Sequence, residues 1–297
     1  MSVTVRVPAK VNVQLAVGAA RPDGFHGLAN VFLAVGLHDE ITVTLAGELR
    51  VTCEGPDAGQ VPLDRTNLAA RAAEALAARY GRTPDVHLHI VKDIPVAGGM
   101  AGGSADGAGA LVACDALWGT NASRDELLGI CAELGSDVPF SLVGGAALGT
   151  GRGEKLTALE VGGTFHWVFA MAERGLSTPA VFREFDRLGE GLDIPEPVAS
   201  QELLGALAKG DPDALAAAVS NDLQPAALSL FPELADTLAA GRAAGALTAL
   251  VSGSGPTTAF LARDRESASK VAEALLASGT CRSVRQASGP APGATVI

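Results

Sequence analysis

The sequence predicts an α+β protein built from two halves. Strand-like alternation and helical periodicity follow one another through the first half, and the same succession starts again after about residue 155. With 297 residues, of which 48% are hydrophobic, the chain is long enough for two domains that each have a core. We therefore expect one domain over residues 1–155 and a second over residues 156–297.

The first half contains apolar runs of period two and alanine-rich runs of helical period. Asn121 and Ser123 supply polar capping residues ahead of the third predicted helix. The pattern breaks at residues 137–140, and the small residues at 144–149 are predicted to form a strand. Further strands are predicted at residues 3–7, 11–17, 31–35, 41–45 and 86–91, and helices at residues 67–79, 105–118 and 124–134.

The second half has its own set of predicted elements. Its last residues, 288–293, contain two prolines and two glycines and are expected to form a loose tail. Strands are predicted at residues 165–171, 247–251, 257–261 and 283–285, and helices at residues 179–187, 201–207, 212–220, 232–243 and 266–277.

Composition limits the partners and the compartment. A formal net charge of -11 argues against a nucleic-acid or anionic-membrane partner, because both are bound by excess lysine and arginine. No run of eighteen apolar residues is present, and the first residues read as a strand rather than a signal, so we expect a cytoplasmic protein. We also expect a monomer or a weak homodimer. The four cysteines lack C-x-x-C spacing, which indicates neither a zinc site nor a disulfide framework.

A glycine- and alanine-rich segment, PVAGGMAGGSAD at residues 95–106, joins a predicted strand to a predicted helix. Glycine permits positive φ angles that turn successive amides inward, and the first helical turn adds unpaired N–H donors, so the segment predicts a phosphate site. It matches neither the Walker pattern nor G-x-G-x-x-G, which argues against a P-loop enzyme and a Rossmann domain. On this segment alone, a tight strand-to-helix crossover is the alternative.

Polar residues alternate with valines in the segment at residues 8–14. This alternation places Lys10, Asn12 and Gln14 on one face of a strand. The pattern is compatible with a functional face, but a solvent-facing strand surface explains it equally well.

Two further segments present side chains next to turns. Residues 22–24 are a strong turn signal, so Phe25 and His26 follow a loop in a chain with only 4% aromatic residues. Asp137 follows a predicted helix end and precedes Pro139, which places its carboxylate on a restrained loop. The alternative is that Asp137 is the N-cap of a short helix that begins at the next residue.

These segments together resemble the GHMP kinases, a family of small-molecule kinases. Residues 8–12, 95–106 and 251–256 are similar to the three motifs of the family. Residues 21–26, 134–140 and 177–182 resemble the members that phosphorylate a cytidine-diphosphate methylerythritol in isoprenoid precursor synthesis. The resemblance extends in order from residue 3 to about residue 262. It implies an N-terminal domain like ribosomal protein S5 domain 2, a ferredoxin-like C-terminal domain and an active site in the interdomain cleft.

The resemblance also implies roles for single residues at the acceptor site. Asp137 would act as the base on the substrate hydroxyl, late in the reaction because a carboxylate is far too weak to deprotonate a free alcohol. Lys10 would keep Asp137 ionised and orient the hydroxyl. Phe25, where the family usually has tyrosine, and Phe182 would stack on the cytosine, and His26 would bond to its edge. Other implied substrate contacts are Asn12, Thr178, Gly253, Ser254 and Gly255.

For the co-substrate, the resemblance implies ATP together with Mg²⁺. No acidic cluster has metal-ligand spacing, so the ion would be held mainly by ATP oxygens and water. Ala97 and Ala101 stand where glycine is usual, and we expect ordinary backbone angles there because alanine disfavours positive φ. Asn67 and Lys92 match positions that flank the adenosine. The implied phosphate-loop residues are Pro95, Val96, Ala97, Gly98, Gly99, Met100, Ala101, Gly102, Gly103, Ser104 and Ala105.

Two alternatives stay open from the sequence. Another GHMP kinase, such as a homoserine or mevalonate kinase, is disfavoured by Phe25, His26 and Phe182, because those small substrates have no base to stack. A catalytically silent binding protein on the same fold is disfavoured by the presence of both Lys10 and Asp137.

Overall fold

A computed structural model describes residues 1–22 and 24–297. Twelve strands and ten α-helices are assigned within those residues, with a short 3₁₀ turn at Ala58–Gln60. The strands are β1 (Ser2–Ala20), β2 (His26–Leu45), β3 (Arg50–Glu54), β4 (Val86–Val91), β5 (Ala146–Thr150), β6 (Lys155–Ala158), β7 (Phe165–Met171), β8 (Ser220–Asn221), β9 (Thr248–Val251), β10 (Thr258–Ala262), β11 (Ser283–Gly289) and β12 (Thr295–Val296).

The helices flank two separate sheets, and none of those in the described residues has the length and apolar character needed to cross a bilayer. They are α1 (Leu68–Arg79), α2 (Gly102–Trp118), α3 (Arg124–Leu134), α4 (Val138–Val143), α5 (Thr178–Leu188), α6 (Gln201–Lys209), α7 (Pro212–Ala218), α8 (Gln224–Leu230), α9 (Leu234–Ala243) and α10 (Arg265–Ser278).

The first sheet is built around a long antiparallel pair, β1 and β2, of 19 and 20 residues. Its main path runs β12-β1-β2-β4-β3; β5 pairs with β2, β6 with β5, and β8 with β1. The sequence predicts separate strands at residues 3–7 and 11–17, but β1 is continuous because a register shift between Pro8 and Ala9 accommodates the proline. The predicted turn at residues 22–24 includes Asp23, which lies outside the described residues.

Helix α2 packs directly on this sheet, because glycine lets its backbone come close. A Cβ added at Gly109 would lie 2.6 Å from a side-chain carbon of Ile41 and 2.7 Å from one of Val7. The contact fixes the helix against β1 and β2, and it therefore fixes the start of the helix at the end of the segment 95–101. The predicted start at residue 105 is too late by a turn, since glycines at 102 and 103 already belong to the helix.

The second sheet has the order β11-β7-β10-β9, with every neighbouring pair antiparallel. Trp167 and Phe169 of this sheet pack in the core cluster that includes the first sheet, whereas Phe260 packs with Leu275 of α10 in a second cluster, and all four have no solvent exposure. Most of the predicted helices and strands of this half are confirmed, and α8 and β8 are additions that the sequence pattern did not indicate.

The C-terminal residues are ordered, so the prediction of a loose tail is wrong. Gly289 ends β11, the backbone N–H of Ala291 donates to the carbonyl of Ala34, and β12 pairs with β1 at Val5 and Arg6. Backbone hydrogen bonds hold these residues, and they leave little signal in the side-chain pattern. The boundary at residues 155 and 156 stays a prediction; residue 155 begins β6.

Candidate active site

A cleft of about 860 Å³ lies between the first sheet, the segment before α2 and helix α5. Its wall includes Lys10 and Asn12 from β1, Asp137 from the start of α4, and Ser254 from the turn after β9. Residues far apart in the sequence therefore meet in this cleft. Its main parts are the Lys10–Asp137 pair, the segment at residues 95–105 and a group of aromatic side chains.

Lys10 is the central cation of the cleft. Its side chain is 5% exposed, and Nζ donates to Asn12 Oδ1 at 2.6 Å and to the carbonyl of Gly99 at 2.9 Å. Nζ also lies 3.6 Å from Asp137 Oδ2. Burial lowers the pKa of Lys10 from its ordinary value, and the charge of Asp137 opposes that effect. The ammonium is thus held in place by three oxygens.

Asp137 is at the N-cap position of α4, but its carboxylate faces Lys10 instead of bonding to the helix. The alternative of a capping role is therefore wrong for its side chain. About a third of that side chain, 32%, is exposed to the cleft, so a ligand can reach it. A carboxylate and an ammonium that are both fixed at the floor of a cleft can accept a proton and stabilise an anionic oxygen, respectively.

The polar face of β1 is buried, which rules out a solvent-facing strand surface. Lys10, Asn12 and Gln14 are 4%, 1% and 6% exposed. Asn12 Nδ2 donates to Asn30 Oδ1 at 2.6 Å, whereas Gln14 bonds to the backbone of residues 198 and 200. Two of the three side chains therefore serve the cleft, and the third fastens a neighbouring segment.

The segment at residues 95–105 curves along one end of the cleft, where α2 begins. Ala97 has φ 53°, Gly99 has φ 73° and Ala101, the N-cap of α2, has φ 61°. The expectation of ordinary angles at the two alanines is wrong. A left-handed alanine costs about 1–2 kcal/mol. Hydrogen bonds to Gly99, which lies between the two alanines, help to hold the segment in this conformation. The carbonyl of Gly99 accepts from Lys10 Nζ and from Ser252 Oγ.

Eight of these residues line the cleft, and three face elsewhere. Met100 and Ala105 are fully buried in the core, and Val96 lies behind the loop. The backbone and side chains available to a ligand are those of Pro95, Ala97, Gly98, Gly99, Ala101, Gly102, Gly103 and Ser104.

Asn67 and Lys92 lie outside the lining of the cleft. Asn67 is the N-cap of α1, where its Oδ1 accepts from the backbone N–H of Ala69 and its Nδ2 donates to the carbonyl of Pro62. Lys92 lies beneath the loop, and a Cβ added at Gly102 would be 2.8 Å from its Nζ. Both residues support the loop and the helices beside it in this structure.

Lys92 belongs to a buried group of three ionisable side chains, Asp39–Lys92–Asp106. Its Nζ donates to Asp39 and lies 3.1 Å from Asp106 Oδ2, and all three side chains are at most 3% exposed. Asp39 Oδ1 also accepts from the backbone N–H groups of Asp93 and Ile94. Burial raises the pKa of Asp106 to about 8, with Lys92 acting in the opposite direction and Asp39 in the same one.

The sequence analysis missed Asp39 and Asp106, although each interrupts an apolar strand or an alanine-rich helix, which is a signal of a buried ion pair.

The other end of the cleft is aromatic. The rings of His26 and Phe182 lie 4.9 Å apart between centroids, and the ring of Phe25 is 47% exposed. His26 Nε2 is 2.8 Å from Asp186 Oδ1, which orients the imidazole. The sequence analysis missed Asp186 and also Arg152, whose guanidinium carbon lies 5.0 Å from the centroid of the Phe25 ring. The available signal for Arg152 was its position as a cation between two glycines, at residues 151–153.

The turn at residues 253–255 closes over the cleft beside Lys10. A Cβ added at Gly253 would lie 3.0 Å from the carbonyl oxygen of Gly99 and 3.3 Å from Lys10 Nζ. Ser254 Oγ is 2.8 Å from Thr178 Oγ1 at the start of α5. Gly253, Ser254 and Thr178 line the cleft, whereas Gly255 packs behind them against Val251.

Family models match both halves of the chain: "GHMP kinases N terminal domain" over residues 67–145 and "GHMP kinases C terminal" over residues 203–280. The chain belongs to the GHMP kinase family. This membership confirms the family resemblance and implies ATP as co-substrate and a small molecule as acceptor.

Individual relatives of this GHMP kinase carry more specific names. It is 84% identical to a 4-diphosphocytidyl-2-C-methyl-D-erythritol kinase from Streptomyces coelicolor, over the full length of both chains. A protein of the same name from Thermobifida fusca is 60% identical, over all of this chain and 98% of the relative.

Solved structures confirm the two-domain α+β fold. A 4-(cytidine 5'-diphospho)-2C-methyl-D-erythritol kinase superposes with a TM-score of 0.78 and 32% identity, over 96% of this chain and 98% of that one. A homoserine kinase from Cytophaga hutchinsonii has a TM-score of 0.74 over 100% and 97% of the two chains. Its identity of 20% shows the shared fold alone.

Proposed function

We propose that the protein transfers the γ-phosphate of ATP to the 2-hydroxyl of 4-diphosphocytidyl-2-C-methyl-D-erythritol, in the non-mevalonate route to isoprenoid precursors. The names of the relatives from Streptomyces coelicolor and Thermobifida fusca support this substrate. Within this chain, the observation that carries the proposal is the Lys10–Asp137 pair, which shares one cleft with a glycine-rich loop and a cluster of aromatic rings.

The reaction would use the two fixed charges in one concerted step. The 2-hydroxyl oxygen forms a bond to the γ-phosphorus while the bond from that phosphorus to the β–γ bridging oxygen breaks and ADP leaves. Asp137 accepts the hydroxyl proton as the new bond develops. The Lys10 ammonium stabilises the negative charge that accumulates on the entering oxygen. Asn12, which bonds to Lys10, holds that ammonium toward the acceptor.

ATP would lie along residues 95–105, with its phosphates at the start of α2. The backbone N–H groups there and the Ser104 hydroxyl supply neutral donors, which suits a chain whose net charge is negative. Asn67 and Lys92 remain proposed neighbours of the adenosine. Because their polar atoms are bonded to protein in this structure, direct contact requires them to exchange those partners.

The cytidine would occupy the aromatic end of the cleft. Its base would stack between Phe25 and Phe182, and each such contact contributes about 1–3 kcal/mol. His26 would bond to the edge of the base through the ring nitrogen that Asp186 does not engage. The turn at residues 253–255 and Thr178 would enclose the methylerythritol unit beside Lys10.

Mg²⁺ would accompany ATP in this proposal. Among the described residues, no group of three or more His, Cys, Asp or Glu side chains is arranged to hold a metal ion. The phosphate oxygens and water would therefore be the principal ligands. When bound, the ion neutralises part of the phosphate charge.

The test is an ADP-release assay with purified protein and three candidate acceptors. We expect turnover with 4-diphosphocytidyl-2-C-methyl-D-erythritol and none with homoserine or mevalonate, since only the first has a base for the aromatic subsite. Phosphorus NMR of the product should show a new phosphomonoester on the 2-hydroxyl. Turnover with homoserine or mevalonate alone would overturn the substrate, and failure to consume ATP with any acceptor would support a binding protein.

A further inference from the structure

Arg152 is a cation in the cleft that the proposed reaction does not use. It lies in the turn between β5 and β6, and two glycines with positive φ, 74° at Gly151 and 105° at Gly153, flank it. The carbonyl of Gly151 accepts from the N–H of Leu28 at 3.0 Å, and the N–H of Arg152 donates to Glu154 Oε2 at 2.7 Å. The turn therefore presents the Arg152 side chain from a fixed backbone.

The guanidinium of Arg152 lies beside the Phe25 ring and has N–H donors available for a ligand. Its carbon lies 5.0 Å from the centroid of Phe25, within the range of a cation–π contact. Its ion pair within the described chain is with Glu154, at the long distance of 4.0 Å from Nε to Oε2. A guanidinium carries five N–H donors in a planar fork, which suits phosphate oxygens. The side chain is 38% exposed, so these donors are accessible.

The position of Arg152 matches the charge of the nucleotide substrate. The base end of the cleft is marked by Phe25 and Phe182, and the transfer end by Lys10 and Asp137. A diphosphate that links a cytidine to the reacting alcohol must lie between these ends. Arg152 lines the cleft beside Phe25, at the base end, from which that linker starts.

We propose that Arg152 binds the diphosphate of the cytidine substrate and thereby discriminates a cytidine diphosphate ester from an uncharged nucleoside. This inference rests on the proposed function. The Phe25 ring lies beside the guanidinium, and the anion accepts charge-assisted hydrogen bonds from its N–H groups. Arg152 is a binding residue in this proposal, remote from the transferred phosphoryl group.

The test compares cytidine and CDP as probes in calorimetric titrations of the wild type and of Arg152→Met, which keeps the aliphatic stem and removes the charge. We expect the affinity for CDP to fall about tenfold and the affinity for cytidine to change less than about twofold. Arg152→Lys should recover part of the loss. Arg174→Met is the matched control, because Arg174 stacks on Phe231 at 3.8 Å outside the cleft; it should leave both affinities unchanged.

Kinetics separate this proposal from the function on which it rests. Arg152→Met should raise KM for the cytidyl substrate with little change in kcat or in KM for ATP, and the unchanged KM for ATP also reports a folded variant. An equal loss of cytidine and CDP affinity would reduce Arg152 to a support for Phe25 and overturn the proposal. CDP affinity equal to that of the wild type would overturn it as well. A wild type that neither binds CDP nor phosphorylates the cytidyl substrate would overturn the proposed function and this inference together.

Discussion

Lys10 illustrates how burial and hydrogen bonds fix the position of a single side chain in the cleft. A lysine at 4% exposure loses most of its hydration, and the oxygens of Asn12, Gly99 and Asp137 replace it. Such a cation cannot move to solvent without leaving those oxygens unpaired. The geometry of the proposed transfer site is therefore fixed before a substrate binds.

Replacing Asp137 by asparagine should lower kcat by at least about 10² and leave the affinity for ATP nearly unchanged. The amide cannot accept the hydroxyl proton, whereas the phosphate loop is untouched. Steady-state kinetics with separate titration of each substrate measure the effect. Asp186→Asn is the control inside the same cleft, since it contacts His26 and not Lys10, and it should act mainly on KM for the cytidyl substrate. Equal kcat for wild type and Asp137→Asn would remove Asp137 from the mechanism.

Replacing Ala101 by glycine should leave the free energy of unfolding unchanged or raise it by up to about 1 kcal/mol. Relief of the left-handed alanine offsets the greater entropy of glycine in the unfolded chain. The control is Ala78→Gly, at an exposed position of α1, which should cost about 1 kcal/mol. Urea unfolding of the two variants gives the comparison. Equal destabilisation at both positions would contradict the strain at Ala101.

The sequence predicted which residues line the cleft better than it predicted their backbone angles or their neighbours. Lys10, Asn12, His26 and Asp137 all line the cleft, because short motifs preserve the residue types that the site requires. The angles of Ala97 and Ala101 were predicted wrongly, since local preference gives way to tertiary contacts at Gly99. Arg152 was missed because its partner, Phe25, is far away in the sequence.

Among the elements, α2 has the greatest effect on the site. The helix begins where the proposed phosphate loop ends, and Gly109 lets it pack closely on the first sheet. Asp106 of this helix is part of the buried Asp39–Lys92–Asp106 group. Asp39 belongs to β2 and Lys92 follows β4, so the three side chains join one helix to two strands. A displacement of any of them would change the start of the helix.

Replacing Asp106 by asparagine should remove a pH dependence of stability. With a pKa of about 8 in the native protein and about 4 in the unfolded chain, Asp106 binds more proton in the native state between these values. As the pH rises through this window, the free energy of unfolding of the wild type should therefore fall relative to that of Asp106→Asn. The difference between the two free energies should stop growing above about pH 8.

Urea unfolding at several pH values between about 5 and 9 measures this effect. Asp57→Asn is the opposite case, because its hydrogen bond from Arg282 lowers the pKa of Asp57. The stability that its charge contributes is lost only as the pH falls below the usual range of an aspartate, so its difference from the wild type should be constant across the window. A constant difference for Asp106→Asn as well would contradict the protonation of Asp106.

Element boundaries show where sequence reasoning stops. Long elements with clear periodicity, such as α3 with its Ser123–Glu126 capping box, were predicted within a residue or two. The strands β3, β6, β8 and β12 were missed; β8 and β12 have two residues each, which is too few to display a period. Their pairing comes from backbone groups that any sequence can offer.

At the scale of the molecule, two ion pairs connect the second sheet to the phosphate loop. Arg282 donates to both oxygens of Asp57 at 2.7 and 2.6 Å, and both residues line a small cavity together with Pro95, the first residue of the loop. Arg285 of β11 lies 3.0 Å from Asp93, next to Lys92. The two halves of the chain are thus joined behind the loop as well as across the cleft.

Replacing Arg282 by alanine should lower the free energy of unfolding by about 1–3 kcal/mol, since it leaves the carboxylate of Asp57 buried without its guanidinium. It should also raise KM for ATP, because Arg282 and Asp57 adjoin the start of the loop at Pro95. The control is Arg263→Ala, which removes a bidentate ion pair with Asp213 on the surface. We expect no measurable change in its urea midpoint. Unaltered KM for ATP in Arg282→Ala would show that the pair stabilises the fold without acting on the loop.

The last strand, β12, affects how the chain folds during its synthesis. It pairs with the first strand, at Val5 and Arg6, although nearly the whole protein separates the two in synthesis. While translation continues, this edge of β1 lacks its partner, and an open strand edge can template association between chains. Arg6, which forms an ion pair with Glu40 of β2, gives this edge strand a charged residue, and a charge on an edge strand opposes such contacts in the nascent chain.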